Sequence, residues 1–261
     1  MSKILIMLIL NILILKSFIF GAAGVTVKIT AESLMKELER QTTLTSDAKA
    51  KVIVTQQKIK QGVKKIEMVY FRRDRDDAFL IIMEAPESDR GNGYLKTGDN
   101  FWMYRRNTRT FQHINRDENI AGTDAKGDDF EKRKLSELYK PATDKTGNDI
   151  LSEEIIGKIP VYKYELIAKV NDVDYPKKIY WVQKDNFLPL KEQAFSLSGT
   201  LMQTVYYLKY STVDGKYVPN KMMYIDEFEK GNKTIVDLTE FSTKKIEDSV
   251  FTKAYLENMS K

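Results

Sequence analysis

The residue types that most often carry out catalysis are sparse in this sequence. His113 is the only histidine, and the chain contains no cysteine. Because a lone histidine would have to do all the base work, we expect neither Ser–His–acid nor Cys–His catalysis, and no G-x-S-x-G segment is present. Metal sites built on His or Cys are likewise unsupported, so we expect no bound metal. We interpret His113 as an exposed residue at the end of a strand.

Other polar motifs also lack a catalytic context. The adjacent acids Asp128-Asp129 and Glu153-Glu154 could in principle serve acid/base work, but we expect adjacent acids in polar segments to face solvent. Gly91-Asn92-Gly93 precedes a predicted strand, which makes it a turn and not a phosphate-binding loop. We therefore expect no cofactor and no enzymatic activity.

Apolar side chains are the remaining candidates for a functional role. The chain has 14 Tyr, 12 Phe, 10 Met and 2 Trp. Two predicted strands, Phe79 to Met83 and Phe101 to Tyr104, are apolar on both faces, whereas a strand with one solvated face alternates apolar and polar residues. Either a core packed against an N-terminal helix covers both faces, or one face lines an apolar cavity, for which the adaptable methionine side chain is well suited. The pattern alone leaves both interpretations open.

Short strands are the main elements that would position these side chains. Thr30 can cap one helix, which carries Leu34, Met35 and Leu38 on one side. The turns between the later segments carry residues typical of hairpins, such as Asp214-Gly215. We expect a mainly β (α+β) fold, in which about ten strands form one meandering antiparallel sheet that curls strongly. The predicted strands begin near Val52 and continue at 64–71, 79–83, 94–96, 101–104, 162–170, 178–182, 204–210, 222–228 and 234–241.

Two further segments complete the organisation. Residues 115–149 are polar and read as a long loop with a short helix, Phe130 to Leu138, which we expect to lie over one opening of the sheet. Lys3, the apolar run Ile4 to Leu15 and the small residues before position 24 form the pattern of a secretory signal peptide, cleaved after about Ala23. An uncleaved membrane anchor is the alternative, but the run is shorter than the roughly 20 residues that span a bilayer.

Export of a single domain follows from these patterns. Residues 1–23 are then the signal peptide, and 24–261 form one domain outside the cytoplasm. The chain has a net charge of +5, and 30% of its residues are charged with both signs represented. No basic element stands out as a nucleic-acid footprint, so we expect no nucleic-acid partner.

An ordered series of motifs runs through the domain. The motifs are Gly93-Tyr94-Leu95, Trp102-Met103-Tyr104, Gly122-Thr123-Asp124 with Asp129, Tyr175-Pro176-Lys177, Ile179 to Val182, Phe187 to Lys191 and Val213 to Pro219. Together they resemble the outer-membrane lipoprotein-sorting (LolA-like) family, in its broad branch of proteins that accompany membrane exporters. The sequence departs from the family pattern at Ala125 and Gly127, where aromatic residues are usual.

The resemblance implies a strongly curved antiparallel half-barrel (LolA/LolB-like), with helices covering a concave hydrophobic cavity. It also implies a periplasmic, monomeric carrier or chaperone, which binds acyl chains of lipoproteins or phospholipid and moves them towards the outer membrane. The alternatives are a non-enzymatic accessory protein of an inner-membrane exporter complex (ABC or RND type) and a lipid-acting hydrolase that uses Asp124 or Asp129. The residues expected to line the cavity are Met68, Tyr70, Phe79, Ile81, Met83, Trp102 and Tyr104.

Overall fold

Fourteen strands form one antiparallel sheet in a computed structural model that describes residues 28–59, 61–115, 118, 120 and 134–261. The predicted signal peptide and the motif residues Gly122, Thr123, Asp124 and Asp129 lie outside the described residues. The strands are β1 Ala48–Lys58, β2 Gly62–Arg73, β3 Ala78–Ala85, β4 Gly93–Thr97, β5 Asn100–Arg105, β6 Thr110–His113, β7 Tyr139–Pro141, β8 Leu151–Ile156, β9 Ile159–Ala168, β10 Lys177–Gln183, β11 Pro189–Phe195, β12 Leu201–Val213, β13 Lys216–Asp226 and β14 Lys233–Ser242.

The strand order is β6-β5-β4-β3-β2-β1-β14-β13-β12-β11-β10-β9-β7, with β8 also paired to β9. Consecutive strands therefore neighbour one another along most of the path, and the last strand returns to pair with the first. The sheet is open, because the path ends at β6 and at β7 without joining them. The predicted mainly β class and the antiparallel meander are confirmed.

Three α-helices accompany the sheet in the described part of the chain: α1 Ala31–Thr42, α2 Leu135–Leu138 and α3 Lys253–Met259. The Thr30 hydroxyl accepts a hydrogen bond from the Ser33 amide at 3.0 Å, so the predicted cap of α1 is confirmed. Thr252 caps α3 in the same way through the Tyr255 amide. Among the described residues, no helix combines the length and apolar character needed to cross a membrane.

The cross-strand register divides the side chains between two faces, because directly opposite residues in an antiparallel pair point to the same side. We call one side the α1 face, since Leu34 and Met35 of α1 pack there on Tyr164 and Tyr180. The other is the α3 face, where Leu256 of α3 joins a cluster on β2 to β5. The α3-face cluster contains Phe71, Leu80, Ile82, Leu95, Tyr104, Ile246, Val250 and Phe251 as well.

Strand β3 is apolar throughout because both of its faces are covered. Phe79, Ile81 and Met83 belong to a cluster on the α1 face, together with Ile66 and Met68 of β2. The alternate residues of β3, among them Leu80 and Ile82, belong to the α3-face cluster. The apolar pattern of β3 on both sides thus reflects core packing on the α3 face. On the α1 face it reflects packing beside a candidate binding surface.

Helix α3 offers a direct test of the α3-face core. The Leu256 side chain is fully buried, whereas Met259, one turn later, is 55% exposed. We expect Leu256→Ala to lower the free energy of unfolding by about 2–5 kcal/mol, because it removes buried methyl groups and leaves a cavity. Met259→Ala should have little effect. Urea denaturation followed by circular dichroism measures both, and equal losses would contradict this packing.

Candidate functional site

A strip of half-buried apolar side chains crosses the middle of the α1 face. Met222 on β13 lies opposite Val236 on β14 and Tyr207 on β12. Val236 lies in turn opposite Val54, which is part of the buried cluster on β1 to β5. We call this surface the apolar strip; it consists of Val52, Tyr207, Met222, Tyr224, Val236 and Leu238, none of which is fully buried.

Buried clusters border the apolar strip on both sides. On one side lie the α1-face residues of β1 to β5, onto which Ile114 and Ile120 also pack. On the other side lies the cluster beneath α1 on β7, β9 and β10. The strip therefore lies between two buried apolar clusters, and its own apolar side chains are partly accessible.

Three polar contacts fix helix α1 over one of these clusters. Asp149 accepts a hydrogen bond from the Ala31 amide at 2.8 Å, which anchors the first residue of the helix. Glu39 accepts one from the Ser136 hydroxyl at 3.0 Å, which joins α1 to α2. The Lys216 ammonium donates to the Arg40 carbonyl at 2.6 Å, at the start of β13.

A buried carboxylate stands beside the strip on the same face. Glu192 lies opposite Tyr180 and Val205, and its side chain is almost fully buried. The Lys178 ammonium donates to it at 2.7 Å and the Tyr207 hydroxyl at 2.9 Å. We call Glu192, Lys178, Tyr180 and Tyr207 the Glu192 cluster. Tyr207 belongs to both the cluster and the strip, so it connects them.

The charges in the Glu192 cluster follow from its surroundings. Burial acts to raise the pKa of Glu192, but the Lys178 charge and hydrogen bonds from Lys178, Tyr207 and Tyr180 outweigh it and leave the pKa below its ordinary value. Burial raises the pKa of Tyr180 and Tyr207 well above the ordinary phenol value. At neutral pH the site therefore holds one carboxylate, one ammonium and neutral phenols that act as donors.

Five of the seven residues expected to line a cavity come together. Met68, Phe79, Ile81 and Met83 form the buried wall beside the strip, and Tyr70 packs against them. Burial raises the pKa of Tyr70 to about 12, so its hydroxyl stays protonated at neutral pH. These five residues lie mostly beneath the accessible surface. Whether they contact a lipid stays a prediction.

Trp102 and Tyr104 lie on the α3 face, so placing them with the other five was wrong. Tyr94 and Met103 are paired on the α1 face, and the neighbours of Met103 on β5 must point the other way. The Lys253 ammonium stands 3.1 Å from the centroid of the Trp102 ring, and Tyr104 belongs to the core under α3. Both residues contribute to packing on that face.

The remaining polar candidates have structural partners. His113 is exposed at the end of β6, as expected, and its ring meets Trp102 edge-on at 4.9 Å between centroids. Glu154 accepts hydrogen bonds from Lys163 at 2.9 Å and from the Trp181 indole at 2.8 Å. Glu153 is paired with a lysine of its own. Asp128 and Asp129 lie outside the described residues, and the described residues contain no acidic or histidine cluster able to hold a metal.

A second groove, of about 680 Å³, lies on the α3 face beside α3. Its walls include Lys51, which forms ion pairs with Glu67 at 3.0 Å and with Glu84 at 3.1 Å. Such ion pairs suit polar surroundings better than an alkyl chain, because charged groups lose hydration when apolar groups cover them. For an apolar ligand we therefore favour the strip on the α1 face over this groove.

Sequence reasoning missed both the strip and the Glu192 cluster. A signal for the strip exists: residues 222–225 of β13 are all apolar, the same two-sided pattern that drew attention to β3. No local signal identifies Glu192, because its partners come from residues 14 and 15 positions away on neighbouring strands.

Comparison with known proteins identifies a family to which this chain belongs. The profile of a protein family described as "Uncharacterized protein" matches residues 75–258. The chain belongs to this family. No curated protein matches the sequence.

Solved structures with the same fold extend over most of the chain. A LolA superfamily protein from Nitrosomonas europaea is 20% identical, covering 87% of this chain and 100% of its own, with a TM-score of 0.69. An outer membrane lipoprotein-sorting protein domain from Vibrio parahaemolyticus is 17% identical, with coverage of 86% and 97% and a TM-score of 0.70. A DUF1329 family protein from Desulfovibrio piger is 17% identical, with coverage of 88% and 100% and a TM-score of 0.72. The resemblance to the LolA-like family is confirmed at the level of the fold.

The Glu192 cluster should contribute measurably to stability. We expect Glu192→Gln to lower the free energy of unfolding by about 1–3 kcal/mol at neutral pH, because the Lys178 ammonium and the phenol donors lose their charged acceptor. Glu153→Gln is the matched control, since that side chain is 65% exposed and its ion pair should contribute little. Thermal or urea unfolding of both variants measures the difference, and equal effects would argue against this role.

The stability loss caused by Glu192→Gln should depend on pH. The folded-state pKa of Glu192 lies below its ordinary value of 4.5, so its contribution is complete above that value and is lost as the pH falls through the lowered pKa. The stability difference between the wild type and Glu192→Gln should therefore shrink in acid. A difference that stays constant or grows below pH 4.5 would show that the carboxylate is not held as an anion.

Proposed function

We propose that this protein is a periplasmic carrier that binds the acyl chains of lipoproteins or phospholipids on its α1 face and passes them towards the outer membrane. The observation that supports this proposal is the apolar strip, which is partly accessible between two buried apolar walls. Its work would be binding alone, without covalent chemistry, since the strip is apolar and the neighbouring carboxylate is already paired with Lys178.

The dimensions of the strip suit an alkyl chain. It crosses four adjacent strands, β1, β14, β13 and β12, and at about 4.8 Å per strand this gives about 14 Å between the outer two. Each methylene group fully removed from water contributes about 0.8 kcal/mol, so a chain covered along this width gains several kcal/mol. The adaptable Met222 side chain at the centre suits cargo chains of different shape.

In this proposal helix α1 and the side chains of Ile114 and Ile120 act as covers on the two sides of the bound chain. The three polar contacts of α1 hold this helix in place. The side chains of the strip, and not the helix, would therefore adjust to the bound chain. The Glu192 cluster marks the polar boundary of the strip, where burial of an alkyl chain would stop. The relatives named as LolA superfamily and lipoprotein-sorting proteins support the choice of acylated cargo.

Two neighbouring methionines on β13 provide the test. Met222 lies on the α1 face opposite Val236, and Met223 lies on the α3 face opposite Ile235. Both are half-buried. We expect Met222→Asp to weaken binding of a fluorescent fatty acid by about ten-fold or more, which corresponds to about 1.4 kcal/mol, because it places a charge in the path of the alkyl chain. Met223→Asp should bind as the wild type does.

Circular dichroism and urea unfolding establish that both aspartate variants remain folded. Loss of binding in Met223→Asp alone, or the same affinity in both variants and the wild type, would contradict an acyl site on the apolar strip. Absence of any fatty-acid uptake by the wild type, together with capture of an exporter subunit, would instead favour the accessory-protein alternative.

A further inference from the structure

Large apolar side chains are strongly exposed in, or directly beside, three hairpin turns. Leu197 is 92% exposed, Phe228 70%, Val63 69% and Ile59 67%. Scattered apolar residues are ordinary on protein surfaces, so their exposure alone carries no meaning. Their shared position at one end of the sheet is informative. We call these four residues the tip row.

The three turns lie side by side at one end of the sheet. The β1–β2 turn carries Ile59, and its amide donates to the Asn232 side-chain oxygen in the β13–β14 turn at 3.1 Å. In the other direction, the Glu227 amide donates to the Met202 carbonyl at 2.9 Å, which joins the β13–β14 turn to the start of β12. The β11–β12 turn that precedes Met202 carries Leu197.

Strand spacing sets the dimensions of the tip row. The hairpins belong to six contiguous strands, in the order β2-β1-β14-β13-β12-β11. Strands lie about 4.8 Å apart, so neighbouring turns stand about 10 Å apart and the row is about 20 Å long. The side chain of Ile59 also reaches the backbone of Gly231, where an added Cβ would collide with it.

Hydrogen bonds within the turns hold the apolar side chains outwards. Asp226 accepts from the amides of Phe228 at 2.9 Å and Glu229 at 2.7 Å, which fixes the turn that presents Phe228. In the β11–β12 turn, the Ser196 hydroxyl accepts from the Thr200 amide at 3.1 Å. The polar side chains of these turns accept hydrogen bonds from the turn backbone, and the apolar side chains remain exposed to solvent.

The turns at the other end of the same strands are built differently. The β2–β3 turn is Asp74 to Asp77, and the β12–β13 turn is Asp214-Gly215. These turns expose only polar side chains and glycine. Among the hairpin turns of these six strands, exposed apolar side chains therefore lie at one end.

We propose that the tip row inserts into the interface of a lipid bilayer. Side chains that project from separate turns about 10 Å apart leave no continuous groove for a protein segment, whereas lipid fills the space between them. Lysines at the same end, Lys58, Lys64, Lys230 and Lys233, can keep their ammonium groups among the headgroups while their stems remain apolar.

Docking at this end would bring the apolar strip to the membrane. Tyr224 of the strip lies two residues before Asp226, which closes the β13–β14 turn. A chain leaving the bilayer between the turns would reach the strip without crossing bulk water. The insertion is a property of the turns and does not require the cargo site, so it goes beyond the proposed function.

Vesicle flotation tests the proposal. Wild-type protein should float with vesicles of phosphatidylethanolamine and phosphatidylglycerol, and the double variant Leu197→Ser/Phe228→Ser should partition about ten-fold less. Ile155→Ser is the matched control, because Ile155 is 72% exposed on β8 and lies outside the tip row. It should float as the wild type does.

Either of two results would overturn the proposal: a wild type that stays in solution, or a double variant that floats as well as the control. Fatty-acid binding without vesicles separates this inference from the proposed function. The double variant should keep wild-type affinity for the fluorescent fatty acid, whereas Met222→Asp should lose that affinity and still float.

Discussion

The pairing of β14 with β1 is the interaction on which the rest of this structure depends. It joins the strands β1 to β6 to the strands β7 to β14. Both groups therefore belong to one continuous sheet that runs from β6 to β7. Its register places Leu238 opposite Val52 and Val236 opposite Val54. A slip of one residue would turn every apolar side chain of β14 to the other face, and the apolar strip would cease to exist.

The covers of the sheet are distributed so that its middle stays accessible. Helix α1 buries the α1 face over β9 and β10, and the cluster on β1 to β5 closes the other side of the same face. Helix α3 covers the opposite face of β2 to β5. The strands between these covers hold apolar side chains that gain only part of their possible burial. A surface that binds an alkyl chain requires this arrangement, because fully buried side chains offer a ligand nothing further.

Local patterns in the sequence predicted much of the fold. Thr30 and the stripe of Leu34, Met35 and Leu38 predicted α1, and alternation predicted most of the long strands. Strands β6, β7, β8 and β11 were missed. Strand β8 is exposed along most of its length, so it shows no alternation, and β11 begins at Pro189, which resembles a turn signal.

Assignment of residues to faces was the harder step. A strand that is apolar at every position carries no information about which side chains share a face, and for this reason Trp102 and Tyr104 were placed with Met68 and Phe79. Only the register across β3, β4 and β5 separates them. The Glu192 cluster is non-local in the same sense, since its members meet only when β10, β11 and β12 are aligned. The family resemblance predicted the mainly antiparallel fold, and it left these pairings open.

The central claim, that the apolar strip carries acyl chains, is tested most directly by native mass spectrometry with lipid extraction on protein purified from the periplasm of an expressing cell. We predict a bound phospholipid or acylated peptide that is present with the wild type and Met223→Asp and absent from Met222→Asp. A wild-type protein that shows only its own mass, and that takes up no added lipid, would contradict the account.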